Sequence, residues 1–335
     1  MRLLSEADKK SLAGRVCLLR VDFNVESAKD ALRLEESLPT ARLLLRAGAR
    51  VLILSHRGRP KGIDPKLSLK EFIPFLRKKL QQSITFLTGL PAKLPQNGRL
   101  FLLENLRFWP EEDANDWDFA RHLARLGDFY VNDAFAVCHR ENSSVTQLPK
   151  LLPSYAGLLL QKEIEILSQV MKHPKKPLVL IFGGSKVEDK APVMKNLLPK
   201  ADRVLLGSSV LNNSAMLPKS NKIGKPIDWV GEKGLALDIG PLSAEKFGAE
   251  IKRARTIIWN GPVGKFEDKR YARGSIALAK LVAKSKAFTV VGGGETTQLI
   301  LENGLRKKIG FLSTGGGAML EFLAGKKLPG IAALK

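Results

Sequence analysis

The chain has 335 residues, of which 44% are hydrophobic and 26% are charged, as in ordinary folded domains. This length favours two domains over a single core. The two cysteines, Cys17 and Cys138, lie far apart without metal-ligand spacing, which argues against a disulfide framework or a zinc site. The sequence also lacks the apolar segment of a signal peptide or a membrane span, so we expect a cytoplasmic protein without membrane contact.

The formal net charge is +22, and the excess is spread along the chain. Residues 1–155 carry 25 Lys and Arg against 18 Asp and Glu, and the remainder carries 30 against 15. A nucleic-acid-binding protein would concentrate this charge in a tail or a stripe interleaved with aromatic residues. A solvated basic surface therefore explains the charge better than specific nucleic-acid binding, and non-specific binding to RNA or DNA stays open.

Short apolar runs alternate with amphipathic stretches along the chain. Strands are predicted at 15–23, 50–55, 84–87, 99–104 and 129–132, with helices at 38–47, 69–80 and 119–126. After residue 155 the pattern restarts, with strands at 177–182, 203–206, 256–259, 287–291 and 309–313. This order predicts an α/β protein with two doubly wound, Rossmann-like parallel-sheet domains. A helix predicted over 157–170 would join them.

Polar and basic residues follow the predicted strands of the first half. They are Asp22 and Asn24 at the end of the first strand, His56 and Arg59 after the second, Arg107 after the fourth and Arg140 after the fifth. Ligands of open parallel sheets bind beyond the carboxyl ends of the strands, and arginine forks suit carboxylates and phosphates. Each residue alone could be a turn cap or a surface ion pair. Several basic groups at one sheet edge instead predict a bound anion, because their mutual repulsion needs an offset.

Four glycine-rich turns follow strands of the second half, at 183–186, 260–264, 292–295 and 313–318. Free backbone N–H groups and a helix dipole at such turns suit a nucleotide phosphate. Lys186 and Lys190 follow the first turn, and if a helix begins near Val187 both amines would face the same phosphates. The alternative for this pair is a solvated helix face. An acidic-metabolite half and a nucleotide half together predict a small-molecule kinase.

At this point the chain closely resembles the phosphoglycerate kinase family. The matching blocks, in family order, are 20–24, 55–60, 104–108, 131–135, 183–187, 259–262, 290–294, 313–318 and 328–334. The resemblance implies reversible in-line transfer of a phosphoryl group between 1,3-bisphosphoglycerate and ADP, giving 3-phosphoglycerate and ATP, with Mg²⁺. It further implies a monomer with domains at 1–155 and 156–324, a tail at 325–335 packed back on the first, and a hinge near 155–172.

The resemblance also implies individual roles. The residues that would hold 3-phosphoglycerate are Asp22, Asn24, Arg33, His56, Arg59, Arg107 and Arg140. The groups that would act on the phosphoryl in flight are Arg33, Lys186 and the backbone amides of Gly293 and Gly294. The nucleotide residues would be Gly183, Gly184, Lys186, Lys190, Gly207, Asn260, Pro262, Glu267, Gly292, Gly293, Gly294, Glu295 and Thr314, with Glu295 also serving Mg²⁺.

Three features depart from the family pattern. The chain is several dozen residues shorter, with the loss between Gly207 and Asp238, and Lys265 occupies an apolar pocket position. Glu295 replaces the usual metal-linked aspartate. These departures predict a weakened preference for adenine over guanine. The alternative function is a catalytically impaired homologue that binds phosphoglycerate or nucleic acid as a scaffold, and only the net charge argues for it.

Overall fold

The computed structural model describes residues 1–26, 32–211 and 217–334. The chain divides into two compact units. The first comprises Met1–Glu165 together with the segment that starts at Lys327, and the second comprises Ile166–Lys326. Each unit is built around its own parallel β-sheet, which confirms the predicted fold class.

The first unit holds a six-stranded parallel sheet. Its strands are β1 (Val16–Arg20), β2 (Arg50–Leu54), β3 (Thr85–Leu87), β4 (Leu100–Leu103), β5 (Phe129–Asn132) and β6 (Ser154–Ala156). Its helices are α1 (Leu32–Arg46), α2 (Ile73–Leu80), α3 (Pro110–Asp113), α4 (Trp117–Ala124), α5 (Leu148–Leu151) and the start of α6 (Leu158–Lys172). The strand order is β3-β4-β2-β1-β5-β6, which places β1 at the centre, between β2 and β5.

The central strands are apolar and buried, as expected for a sheet with helices on its faces. All four residues of β4 are buried, and Leu19, Ile53 and Val131 join one core cluster with Leu38 of α1. The polar residues of the first half therefore begin where these apolar strands end. Helix α1 starts at Leu32, six residues before the predicted start, and carries Pro39 in its interior.

The second unit also holds a six-stranded parallel sheet, together with a two-stranded antiparallel hairpin. The strands are β7 (Leu178–Phe182), β8 (Arg203–Leu206), β9 (Ile223–Gly224), β10 (Trp229–Glu232), β11 (Leu235–Ile239), β12 (Thr256–Asn260), β13 (Phe288–Gly292) and β14 (Phe311–Leu312). The helices are α7 (Ala191–Leu197), α8 (Ser208–Leu211), α9 (Pro241–Arg253), α10 (Arg273–Lys284), α11 (Gly294–Glu302) and α12 (Gly316–Leu323). The sheet order is β14-β13-β12-β7-β8-β9, and β10 pairs only with β11 among the described residues.

The segment after Lys327 returns to the first unit as helix α13 (Pro329–Ala332). The Gly330 N–H donates to the Cys138 carbonyl at 2.9 Å, and the Asn132 side-chain amide lies 3.5 Å from the Gly330 carbonyl. A Cβ on Gly330 would lie 2.9 Å from the Cα of Cys138, so the approach requires glycine. Lys335 lies outside the described residues. Within the described part of the chain, no helix is long and apolar enough to cross a membrane.

Candidate active site

The loops after β1 and β2 bring Asp22 and His56 together at the centre of the first sheet. The carboxylate of Asp22 lies 3.3 Å from the Arg33 guanidinium and 3.9 Å from Nδ1 of His56. Asp22 and His56 are buried, whereas Arg33 is only partly covered. Two strand-end residues and the first turn of α1 therefore converge on one point.

Asn24 organises the loops on either side of this point. Its side-chain carbonyl accepts from the Gly58 N–H at 2.8 Å, and its backbone carbonyl accepts from Arg33 at 2.9 Å. The Asn24 N–H donates to Asp22 at 2.9 Å, which closes a turn immediately after the strand. Asn24 thus joins the β1 loop to the β2 loop and to α1.

A polar cavity of about 440 Å³ opens beside these loops. Arg59, Arg107 and Arg140 line it, together with Asp113, Glu141 and Asn142. Arg107 is anchored from two sides, because it donates to Asp113 at 3.1 Å and to the Gly58 carbonyl at 2.7 Å. Burial lowers the pKa of Arg107, and the charges of Arg20 and Arg140 add to that effect, while Asp113 opposes it. The cavity is therefore a cationic recess with fixed donors.

His56 sits inside this positive field as a neutral ring. Burial holds its pKa well below the ordinary value, and the charges of Arg20, Arg107, Arg33 and Arg140 lower it further. An arginine can only donate, so the 3.2 Å contact between Arg20 Nη2 and Nδ1 makes Nδ1 the acceptor. The proton consequently resides on Nε2, which becomes a hydrogen-bond donor.

The supporting residues of the first site were not predicted from the sequence. Arg20 donates to Ser144 at 2.8 Å and lies 3.9 Å from the buried carboxylate of Glu112. Ser144 also donates to Glu112 at 2.6 Å. Burial raises the pKa of Glu112, and Arg20 opposes that shift. Arg20 stands in the strand-end motif, but its partners lie more than 90 residues away, where no local pattern reveals them.

In the second unit, the turns after β7 and β12 touch through their backbones. The Gly183 N–H donates to the Asn260 carbonyl at 3.0 Å, and the Gly184 N–H donates to the Pro262 carbonyl at 2.9 Å. A Cβ on Gly183 would lie 1.9 Å from the Pro262 carbonyl oxygen, and one on Gly261 would lie 2.1 Å from the Gly183 carbonyl oxygen. These turns close only with glycine at both positions.

Gly207 and Gly292 allow close packing at the ends of the neighbouring strands β8 and β13. A Cβ on Gly207 would lie 3.1 Å from the Cα of Gly183, and one on Gly292 would lie 2.3 Å from the sulfur of Met319. Gly293 adopts φ +101° at the start of α11. The amide of Asn260 donates to the Gly292 carbonyl at 3.0 Å, linking β12 to this turn. The first-turn amides of α11 therefore open at the strand ends.

Lys186 and Lys190 do not share a helix, so the sequence-based placement was wrong. Helix α7 begins at Ala191, and residues 188–190 form a turn before it. Instead, the two residues are joined by a hydrogen bond, in which Lys190 Nζ donates to the Lys186 backbone carbonyl at 2.8 Å. Lys190 is buried and Lys186 is exposed. Burial lowers the pKa of Lys190, while Asp189 and Glu295 oppose the shift.

Glu295 lies in the first turn of α11 and faces the β7 turn. A Cβ on Gly184 would lie 3.9 Å from its carboxylate and 3.7 Å from Lys190 Nζ, so both charges border the same backbone. Among the described residues, no group of three or more His, Cys, Asp or Glu could hold a metal ion. One carboxylate beside a phosphate-type glycine turn nevertheless fits Mg²⁺, which proteins commonly hold with few side chains plus substrate phosphates.

The remaining predicted nucleotide residues lie on the loops after β12 and β14. Glu267 is exposed in the turn after Gly264, and Lys265 is exposed beside it. Thr314 is buried at the end of β14, before α12. Residues 212–216 of the shortened region lie outside the described residues. The two units thus carry an arginine-lined recess and a set of glycine turns, a pattern typical of an α/β phosphotransferase.

Comparison with known proteins agrees with that class. A sequence model of the family Phosphoglycerate kinase matches residues 7–229 and 209–326. A phosphoglycerate kinase of Leptospira biflexa is 38% identical over 384 aligned positions, covering 98% of this chain and 97% of the relative. One of Pelotomaculum thermopropionicum is 37% identical over 379 positions, covering 96% of each. The chain belongs to the phosphoglycerate kinase family.

Solved structures agree with the sequence matches. Phosphoglycerate kinase from Coxiella burnetii matches with a TM-score of 0.84 and 31% identity, covering 99% of this chain and 98% of the other. The enzyme from Pyrococcus horikoshii OT3 matches with a TM-score of 0.86 and 30% identity, covering 100% of this chain and 98% of the other.

The sequence matches also bear on the length of the chain. The alignment with the Leptospira biflexa relative has 384 positions, more than the 335 residues of the chain, and the two segments of the family match overlap at 209–229. The two segments of the family match therefore meet within residues 209–229, inside the region that was predicted to be shortened.

Proposed function

We propose that the chain transfers a phosphoryl group reversibly between 1,3-bisphosphoglycerate and ADP, giving 3-phosphoglycerate and ATP. The observation that carries the proposal is the recess lined by Arg59, Arg107 and Arg140 in the first unit. A neutral His56 lies within the electrostatic field of Arg107 and Arg140. Membership of the family adds the reaction class. In this proposal the enzyme is a cytoplasmic monomer.

In the first unit the recess binds the acid by its charges. Arg59, Arg107 and Arg140 neutralise the phosphate of 3-phosphoglycerate, because guanidiniums bind its oxygens in bidentate fashion. His56 donates from Nε2 without adding a positive charge. Asp22 accepts from a substrate hydroxyl, and Asn24 holds its loop in place. This combination orients the carboxylate of 3-phosphoglycerate, which attacks the phosphoryl group in one direction of the reaction and is the leaving group in the other.

In the second unit the glycine turns receive the nucleotide phosphates. The proposed contacts are Gly183, Gly184, Lys190, Gly207, Asn260, Pro262, Glu267, Gly292 and Thr314. Glu295 is the proposed protein ligand of Mg²⁺, which, when bound, would neutralise phosphate oxygens of the nucleotide. Glycine at Gly183 and Gly261 lets these two turns approach each other, because a Cβ at either position would clash with the facing backbone.

The chemical step needs electrostatic stabilisation rather than covalent help. Charge spreads over the equatorial oxygens of the transferring group, and Arg33, Lys186 and the amides of Gly293 and Gly294 supply the opposing field. The acid and the nucleotide bind to different halves, so we place a hinge within 155–172, which includes the start of α6. The proposed domains are 1–155 with the tail 325–335, and 156–324.

A coupled assay tests the proposal. Turnover of 3-phosphoglycerate and ATP in Mg²⁺ should appear with the wild type and fall roughly 10²–10³-fold with Lys186→Ala, since one transition-state donor is lost. Lys195→Ala is the matched control, because Lys195 is an exposed lysine of α7 and should leave turnover unchanged. Binding of 3-phosphoglycerate without turnover would instead support the scaffold alternative.

A further inference from the structure

An apolar groove of the first unit lies outside the proposed catalytic site. It has a cavity volume of about 740 Å³. Pro39, Leu43 and Ala47 of α1 line it, together with Leu158 at the start of α6. The three α1 residues are spaced four apart, so they form one stripe of about 12 Å along the helix. Pro39 is exposed, and Leu43 and Ala47 are only partly covered.

Four cations surround this apolar floor. Lys9 and Lys10 line the groove from the N-terminal segment, and Arg42 and Arg46 line it from α1. Arg42 uses one guanidinium nitrogen for the Lys79 carbonyl, at 3.0 Å, which fixes its position. No Asp or Glu lines the groove in the described part of the chain. An apolar floor with an entirely cationic rim is complementary to an anion that carries an apolar body.

We propose that this groove binds a single-chain anionic amphiphile, with its alkyl chain along the α1 stripe and its carboxylate or phosphate head at the cationic rim. The apolar residues form the floor of a cavity, whereas a membrane-inserting surface would present them outward. The floor contains no aromatic ring on which a nucleic-acid base could stack. The volume lies within the range of small-molecule sites.

Calorimetric titration with dodecanoate below its micelle concentration tests the proposal. The wild type should bind one molecule, whereas dodecyltrimethylammonium, with the same tail and the opposite charge, should not bind. Hexanoate should bind much more weakly, because most of the buried methylene groups are missing. Equal binding of the cationic and anionic amphiphiles would overturn the proposal, and so would the absence of dodecanoate binding to the wild type.

Variants locate the site. The triple change Lys9→Gln, Lys10→Gln and Arg46→Gln should weaken dodecanoate binding roughly tenfold or more, since three rim charges are removed. A control triple, Lys252→Gln, Lys284→Gln and Lys286→Gln, removes the same charge from exposed positions of the second unit and should bind like the wild type. Equal weakening in both triples would overturn the proposal in favour of a general charge effect.

A second variant keeps every cation. Ala47→Glu places a carboxylate in the partly covered floor and should abolish dodecanoate binding while circular dichroism and turnover stay unchanged. Vesicles of phosphatidylglycerol and an oligoribonucleotide serve as competing ligands. Groove-dependent binding of either one, without dodecanoate binding, would overturn the proposal and assign the groove to a membrane or to RNA.

Discussion

The Arg20 guanidinium lies 3.2 Å from Nδ1 of His56, and both side chains are buried in the first unit. The pair fixes one tautomer of the imidazole, because the guanidinium cannot accept a hydrogen bond. Glu112, 3.9 Å from Arg20, balances the buried charge of Arg20. His56 thereby supplies a neutral hydrogen-bond donor within the field of the surrounding arginines.

His56 should remain neutral, with its proton on Nε2, at pH 6.5 and above, because burial and the surrounding arginines hold its pKa well below the ordinary value. Two-dimensional NMR of the imidazole nitrogens measures both properties. The chain has 4 histidines, so a His56→Gln spectrum assigns the signal by difference. A His56 titration near pH 6.5 would contradict the assignment.

The free energy of unfolding should depend on Asp133. Its Oδ1 accepts from the Leu159 and Leu160 N–H groups at the start of α6, and burial raises its pKa to about 7. The folded state therefore keeps a proton that the unfolded chain releases near pH 4. Stability should fall as pH rises from about 4 to about 7, by up to about 1.4 kcal/mol per pH unit.

The control for this prediction is Asp133→Asn, which keeps an acceptor for the helix start and removes the titration. His56 acts in the opposite direction, because its lowered pKa reduces stability as pH falls through about 6.5. The informative quantity is therefore the difference between wild type and variant in urea unfolding across pH 4–8. A difference that is independent of pH would show that Asp133 titrates normally.

Gly293→Ala should destabilise the protein by about 1–3 kcal/mol, because Gly293 adopts φ +101° and ψ 134°, a conformation that side chains resist. Gly294→Ala is the matched control. A Cβ there meets no atom within 4 Å, and the residue is helical, so stability should be unchanged or slightly higher. Denaturant unfolding of both variants checks the pair, and equal losses would contradict the backbone argument.

Glu295→Gln should raise the Mg²⁺ concentration needed for half-maximal turnover roughly tenfold, because an amide is a poorer ligand than a carboxylate. Glu302→Gln changes an exposed carboxylate at the far end of the same helix and should leave the Mg²⁺ dependence as it was. A titration of turnover against Mg²⁺ compares the two. An unchanged requirement in Glu295→Gln would remove Glu295 from the proposed metal site.

The shortened second unit should discriminate weakly between nucleotide bases. Lys265 is exposed, and its N–H donates to the Leu237 carbonyl at 2.8 Å, which holds it beside the middle of strand β11. A charged lysine at this position does not provide an apolar surface against which a nucleotide base could pack. The kcat/KM values for ATP and GTP should differ by less than roughly tenfold, since base contacts that are not made cannot discriminate. A large preference for ATP would contradict this expectation.

The strand ends and the glycine turns could be predicted from the sequence because both depend on local chemistry. An apolar strand that ends in Asp22 and Asn24 marks a sheet edge, and paired glycines such as Gly183 and Gly184 mark a tight turn. Parallel topology then brings these positions to one edge without further information. The family resemblance covers the same blocks.

What could not be predicted depends on distant partners or on weak local signals. The helix α1 was predicted from residue 38, yet it starts at Leu32 and carries Pro39 in its interior, where proline is usually disfavoured. Strands β6, β9 and β10 are short or exposed, so they show little hydrophobic periodicity. The Arg20–Glu112 pair joins residues far apart in the chain.

The β10–β11 hairpin has a consequence for handling the protein in solution. Trp229 is 58% exposed and Leu235 is 51% exposed, and none of the described strands pairs with the outer edge of β10. Such an edge invites pairing between copies, whereas a net charge of +22 makes two copies repel at long range. Concentrated salt screens the repulsion without covering the edge. The protein should therefore remain monodisperse best at low ionic strength. Light scattering should detect self-association as the salt concentration is raised.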